Sequence, residues 1–268
     1  MRRSIASGVT LHLVPSEAQP SRPQFPADSP PATAPSREPE RVRAMFDDIA
    51  PRYDVANHLL SGGIDFWWRY RAAEIVRAWA PRRVLDLATG SGDLALAISR
   101  RLPEAAVTGA DFSAEMLEIA TRKGLKQTVV ADALALPFSG SSFDAVTVAF
   151  GLRNMSDWAA AIREMARVLT SGGHLLVLDF SLPSGPFRQA YRLYLHRCMP
   201  WLAAMVTGRK DAYDYLGASI EAFPSGEAMR TLLSANGFEH VSVTSLTGGI
   251  ASIYLAAKAE SRPPRRRD

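Results

Sequence analysis

The chain has 268 residues, 47% hydrophobic and 22% charged, enough to bury one sizeable core, so one main domain is expected. Its single cysteine, Cys198, excludes a disulfide framework and any multi-cysteine metal site, and no apolar run approaches the roughly 20 residues that a bilayer-spanning helix needs. The net charge of +4 gathers at the ends, at Arg2, Arg3, Arg22 and Arg37 and in "RPPRRRD" at 262–268, which marks solvated tails more than a nucleic-acid enzyme.

The opening "MRRSIASGVTLHLV" is short and broken by His12, so it reads as no signal peptide and the chain is expected to stay in the cytoplasm. Residues 15–40 are dense in Pro, Ser and Ala and carry one aromatic, Phe25. Such a segment buries too little apolar surface to offset its ordering entropy. Residues 1–38 and 261–268 are therefore expected to be disordered, around a domain at 39–260.

From residue 39, "PERVRAMFDDIAPRYDVANHLLSGGIDFWWRYRAAEIVRAWA" has apolar residues at helical spacing with breaks at Pro51 and Gly62-Gly63, which predicts two or three short helices. After Pro81 the pattern alternates. "RVLDLA" is a strand, 91–101 a helix, "AVTGAD" a strand, 113–123 a helix, and "KQTVVAD" and "SFDAVTVAF" are strands. A helix at 155–169 and the strand "GGHLLVLDF" follow. Near-continuous apolar strands separated by amphipathic helices predict an α/β fold with a parallel sheet covered on both faces. A helical insertion over about 185–235 precedes "GFEHVSVTSL" and "GIASIYLAAK", whose connection "TGG" suits a hairpin and is too short for a parallel crossover. The sheet is thus expected to end in an antiparallel pair.

The stretch "VLDLATGSGDLAL" at 84–96 carries the chemistry. Gly90-Ser91-Gly92-Asp93-Leu94-Ala95 satisfies the dinucleotide pattern, with Asp111 about 20 residues further on, where a ribose-binding acid belongs. Charge argues for a different ligand. A pyrophosphate needs bare amides and the positive end of a helix, and the carboxylates Asp86 and Asp93 beside the loop oppose it. S-adenosylmethionine has no phosphate and carries an ammonium and a sulfonium, which acids suit. Gly90 and Gly92 let the backbone pass close beneath its amino-acid moiety. Asp111 ends the second strand, where its oxygens suit ribose hydroxyls, and Asp132 ends the third, placed for the adenine amino group. All lie at the carboxyl ends of strands, where open parallel sheets bind ligands.

Five stretches, "VLDLATGSGD", "GADFSAEML", "ADALALPF", "SFDAVTVAFGLRNM" and "RVLTSGGHLLVLDFSLP", together resemble the class I S-adenosylmethionine-dependent methyltransferases, with their Rossmann-like fold. "MFDDIAPRYDVANHLLSGGIDFWWR" at 45–69, "FGLRNM" at 150–155 and "YDYLGASIEAFP" at 213–224 resemble one branch, the ubiquinone/menaquinone biosynthesis C-methyltransferases of the UbiE/MenG type. The match covers about 41–258. The resemblance implies cofactor contacts from Ser91, Asp111, and Asp132 with Ala133, and methylation of a ring carbon on a polyprenylated quinol such as demethylmenaquinol. "SIEAFP" leans towards menaquinone over ubiquinone. Ala149 stands where many members have Ser, which removes a side-chain hydrogen bond expected there.

A ring carbon becomes a usable nucleophile when the neighbouring hydroxyl loses its proton, so the site needs a base or a cation that favours the phenolate. Arg153 in "GLRNM" is the candidate cation, and Asn154 the candidate for fixing the quinol oxygen. The alternatives are an ion pair between Arg153 and Asp157 and a capping role for Asn154 at a helix beginning near Met155. Tyr53, Asp54, Asn57 and His58, in a stretch expected to fold as a lid, and Tyr213 and Tyr215 are the candidates near the proton. "YRLYLHRCMPWLAAMV" at 191–206 is expected to help form an apolar groove for the isoprenoid tail, with Leu195, Met199 and Trp201 in it. The groove is expected to open on a membrane surface that the protein contacts only peripherally. No metal is called for. A methyltransferase acting on another small molecule or on nucleic acid and a nicotinamide-linked reductase remain the competing readings.

Overall fold

The computed structural model describes residues 61–183, 185, 187–198 and 211–259, with the backbone alone for Cys198 and 211–215. Its elements follow the alternation of the sequence. Helix α1 (Ile64–Trp79) precedes β1 (Arg83–Leu87), α2 (Asp93–Arg101), β2 (Ala106–Asp111), α3 (Ala114–Arg122), β3 (Gln127–Val130) and β4 (Phe143–Ala149). A 3-10 turn at Leu152–Asn154 leads to α4 (Trp158–Val168) and β5 (Leu169–Phe180). Then come α5 (Phe187–Leu193), a π turn (Tyr194–Cys198), α6 (Asp211–Ala222), α7 (Glu227–Ala235), β6 (Phe238–Leu246) and β7 (Ala251–Lys258).

The strands form one sheet in the order β3-β2-β1-β4-β5-β7-β6. The pairs from β3 to β5 are parallel, and β7 runs antiparallel to both β5 and β6. The expected antiparallel end is therefore present, with β7 inserted between β5 and β6. The two-residue period of the strands divides the core into two layers. Leu85, Leu87, Val146, Val148, Leu175 and Val177 pack on one face, under α4 and α7. Val84, Ala145, Leu176 and Leu178 pack on the other, under α1 and α2. The described residues all belong to one compact unit.

Several boundaries differ from the sequence reading, three of them for a clear local reason. Gly92 sits at φ +85°, so α2 begins at Asp93 and not at 91. Asp157 is extended and its carboxylate accepts from the Ala160 amide at 2.9 Å, so α4 begins at Trp158 and residues 155–157 stay outside it. β3 stops at Val130, because Asp132 turns the chain by accepting from the Leu134 amide at 2.9 Å and bridging to Ala135. The tails at 1–38 and 261–268, and the lid stretch up to residue 60, lie outside the described residues.

Candidate active site

The glycine loop is held from below and from the side. Asp86 and Thr147 are register partners on β1 and β4 and share a face, so the Thr147 hydroxyl donates to Asp86 at 2.6 Å. The Thr89 hydroxyl donates to its other oxygen at 2.7 Å. Asp86 is 1% exposed. It lies under the loop as an anionic floor, with burial pushing its pKa up to about 6 against the pull of the two hydroxyls.

Asp111 clamps the loop laterally, accepting from the Gly90 amide at 2.8 Å and the Ser113 amide at 3.0 Å. Both oxygens that the sequence reading reserved for a ribose thus also serve the backbone. Each carboxylate oxygen accepts more than one bond, so the two duties are compatible. Ser91 is buried within the loop. Gly92 needs its missing side chain, since a Cβ there would stand 2.9 Å from the Ala120 Cβ at a positive φ. Gly90 is open on its outer side: a Cβ would meet nothing within 4 Å. Asp132 is exposed just beyond β3, and Ala133 beside it is half-buried.

Asp93 behaves differently from the charge argument. Its carboxylate pairs with Lys123 at 2.8 Å, with Arg69 at 4.0 Å. Its share of the repulsion towards a phosphate is therefore largely compensated, and the negative lining comes from Asp86, Asp111 and Asp132. These residues fit S-adenosylmethionine: a buried anionic floor for its cationic end, an open glycine surface and two further acids at successive strand ends.

A cavity of about 380 Å³ lies at the ends of β4 and β5, walled by Ile64, Trp68 and Arg69 of α1, by Phe150 and Phe180, and by Tyr191, Tyr194 and Leu195. Phe150 is held at φ +58° between the neighbouring rings of Trp68, at 6.0 Å, and Phe180, at 4.7 Å. A bulky residue in the left-handed region is strained, and this ring packing is what holds it there.

Arg153 lines the same cavity and is 5% exposed. Its guanidinium pairs with Asp179 at 2.9 Å, donates to the Phe150 carbonyl and lies over the Phe180 ring at 5.2 Å. Asp157, the partner weighed in the sequence, instead caps α4. Asp179 is fully buried, and burial pushes its carboxyl above the ordinary range while Arg153 opposes that rise. Both hydrogen bonds leave from Nη1, and Arg153 Nε is buried without a hydrogen-bond partner, as is Asn154 Oδ1. Asn154 donates weakly to the Phe150 carbonyl at 3.5 Å. Arg153 lines the cavity, and Asn154 follows it in the chain just outside the lining residues.

Tyr53, Asp54, Asn57, His58, Met199 and Trp201 lie outside the described residues, as do the side chains of Tyr213 and Tyr215. Two participants, Asp179 and Asp65, escaped the sequence reading, and a third, Tyr191, was expected only as part of the tail groove. Asp179 announces itself only as an acid interrupting "LLVLDF". Asp65 of α1 is buried, accepts from Ser61 at 2.6 Å and pairs with Arg69 at the cavity wall. Tyr191 is half-buried there, and burial, with Tyr194 beside it, drives its phenol strongly upward, so it stays protonated.

The model for the ubiE/COQ5 methyltransferase family matches residues 35–258. The chain is 50% identical over 217 residues to a demethylmenaquinone methyltransferase of Thermus thermophilus, covering 79% of this chain and 98% of that one. It is 41% identical to a ubiquinone/menaquinone biosynthesis C-methyltransferase UbiE of a Geobacter species, covering 83% and 98%. Among solved structures, a SAM-dependent methyltransferase of Thermotoga maritima, described as a possible histamine N-methyltransferase, superposes with a TM-score of 0.58 at 19% identity, over 81% of this chain and 99% of that one. A phosphoethanolamine N-methyltransferase of Haemonchus contortus in complex with S-adenosylhomocysteine gives 0.56 at 16% identity, over 82% and 60%. The fold is that of the class I S-adenosylmethionine-dependent methyltransferases, and the chain belongs to the ubiE/COQ5 methyltransferase family.

Proposed function

We propose that the protein methylates a ring carbon of a polyprenylated quinol, with demethylmenaquinol as the substrate, and that S-adenosylmethionine is the donor. Family membership supports the reaction class, and relatives named as demethylmenaquinone methyltransferases at 50% and 44% identity favour the naphthoquinol ring. The observation that carries the reading is the aromatic cavity with an unpaired, buried Arg153 Nε at its wall.

Bound at the glycine loop, the cofactor supplies an electrophilic methyl on a sulfonium. Asp86 and Asp111, with Asp132 and Ala133, hold it there. Phe150, Phe180 and Trp68 orient a planar ring against the loop end, the positioning that an in-line displacement needs. Arg153, held through Nη1 by Asp179, stabilises the substrate oxygen as its proton passes to solvent, and the methylated ring carbon then releases its hydrogen as a proton in the same way. Asn154 Oδ1 accepts from the neutral hydroxyl and so fixes the ring before that step. Tyr191, held protonated, acts as a donor and not as the base.

The tail leaves past Leu195 and Ile220, which pack together beside the cavity. No helix among the described residues is long and apolar enough to cross a membrane, so we place the protein at the bilayer surface peripherally while it takes its substrate. Labelled methyl transfer to demethylmenaquinol and to the corresponding benzoquinol, run side by side, tests the assignment. Preference for the naphthoquinol is expected; exclusive use of the benzoquinol overturns the choice of ring, and activity on neither overturns the reaction.

A further inference from the structure

We propose that α5 and the π turn after it form the docking surface for an anionic lipid bilayer. The inference deepens the peripheral attachment proposed above and rests on that reading only for the lipid tail of the substrate. None of the seven residues of α5 is buried. Phe187 is 74% exposed and Leu193 59%, although a short helix of a globular domain ordinarily turns its apolar residues inward.

The charge is equally one-sided. Residues 181–198 contain Arg188, Arg192, His196 and Arg197 and no acid. Glu221 from α6 takes Arg192 at 2.6 Å and His196 at 3.1 Å. Arg188 and Arg197 make no ion pair among the described residues and stand exposed. Exposed aromatic and aliphatic side chains interspersed with exposed arginines suit the boundary between acyl chains and anionic headgroups. An acidic protein partner would meet the charge but leave Phe187 and Leu193 without an apolar counterpart.

Position supports the same occupant. Of the seven large apolar side chains that are exposed among the described residues, five lie on α1 and α5: Phe66, Trp67, Tyr70, Phe187 and Leu193. These helices also contribute Ile64, Trp68 and Tyr191 to the cavity wall. A lipid surface against α5 thus lies next to the cavity that receives a lipid-tailed ring.

The test is co-sedimentation of the full chain, without substrate or cofactor, with vesicles of phosphatidylcholine alone and of phosphatidylcholine mixed with phosphatidylglycerol. Wild type is expected on the mixed vesicles, more weakly as salt rises. Phe187→Ser/Leu193→Ser and Arg188→Glu/Arg197→Glu should each bind at least about tenfold more weakly. Unchanged S-adenosylhomocysteine binding in both variants confirms that they fold. Equal vesicle binding by wild type and both variants overturns the proposal, since the basic tails would then carry the adhesion. So does a wild type that ignores vesicles but self-associates through this face, with the association lost in the apolar variant. Methyl transfer to a short-tailed quinol, measured on the same preparations, is expected to persist in every variant. Because docking is scored without substrate, a failure of transfer by the wild type would overturn the assigned reaction and not the surface.

Discussion

Replacing Asp86 with asparagine separates what the buried carboxylate costs from what it does. The side chain is 1% exposed, and burial raises its pKa from an ordinary 3.8 to about 6. Between these values the folded state keeps a proton that the unfolded chain has released, so stability falls as pH rises from about 4 to about 6. Above that window the charged form costs about 3 kcal/mol, at ~1.36 kcal/mol per pK unit. Asparagine stays neutral and does not bear this cost. It does need one of the two threonine hydroxyls to turn from donor to acceptor, a rearrangement that costs about 1 kcal/mol. Urea unfolding without ligand should therefore find Asp86→Asn about 1–3 kcal/mol more stable than wild type near pH 8, with the advantage gone near pH 4. Calorimetry should show S-adenosylmethionine binding weakened about tenfold, because the anionic floor beneath the loop is gone. A variant less stable at pH 8, or one whose stability difference ignores pH, refutes the reasoning.

Arg153→Gln should lower kcat by about 100-fold or more with S-adenosylhomocysteine affinity unchanged, since the oxyanion donor is lost and the cofactor loop untouched; steady-state kinetics with calorimetry checks this. Gly92→Ala should destabilise by about 1–3 kcal/mol, because the new Cβ meets Ala120 at 2.9 Å at a φ of +85°; thermal unfolding reads the loss. Leu195→Ser should raise KM for long-tailed quinols more than for tail-less ones, and equal losses on both would remove Leu195 from the tail path.

How much of this the residues disclose in advance depends on the range of each interaction. The strands and the glycine loop were legible because they rest on local periodicity and on residue types confined to a few positions. The sheet's antiparallel end followed from the length of "TGG" alone. Ion pairing was not legible. Arg153 has Asp157 four residues away, yet the chain reverses through the 3-10 turn and brings Asp179, 26 positions on, to its guanidinium. Asp93 likewise finds Lys123 across 30 positions, which weakened the repulsion that the sequence reading ascribed to it. Asp65 was missed although its partners Ser61 and Arg69 are only four residues away, because its burial comes from tertiary packing that local spacing does not disclose. The exposure of Phe187 runs against the periodicity rule, which assigns an apolar residue on a helix to a core.

The most direct test of the account supplies demethylmenaquinol and S-adenosylmethionine carrying a 13C-labelled methyl and follows the label by NMR. A single new methyl resonance on the quinol ring carbon, absent when Arg153→Gln replaces the wild type, is the expected result. A label found on the quinol oxygen, or none transferred at all, contradicts it.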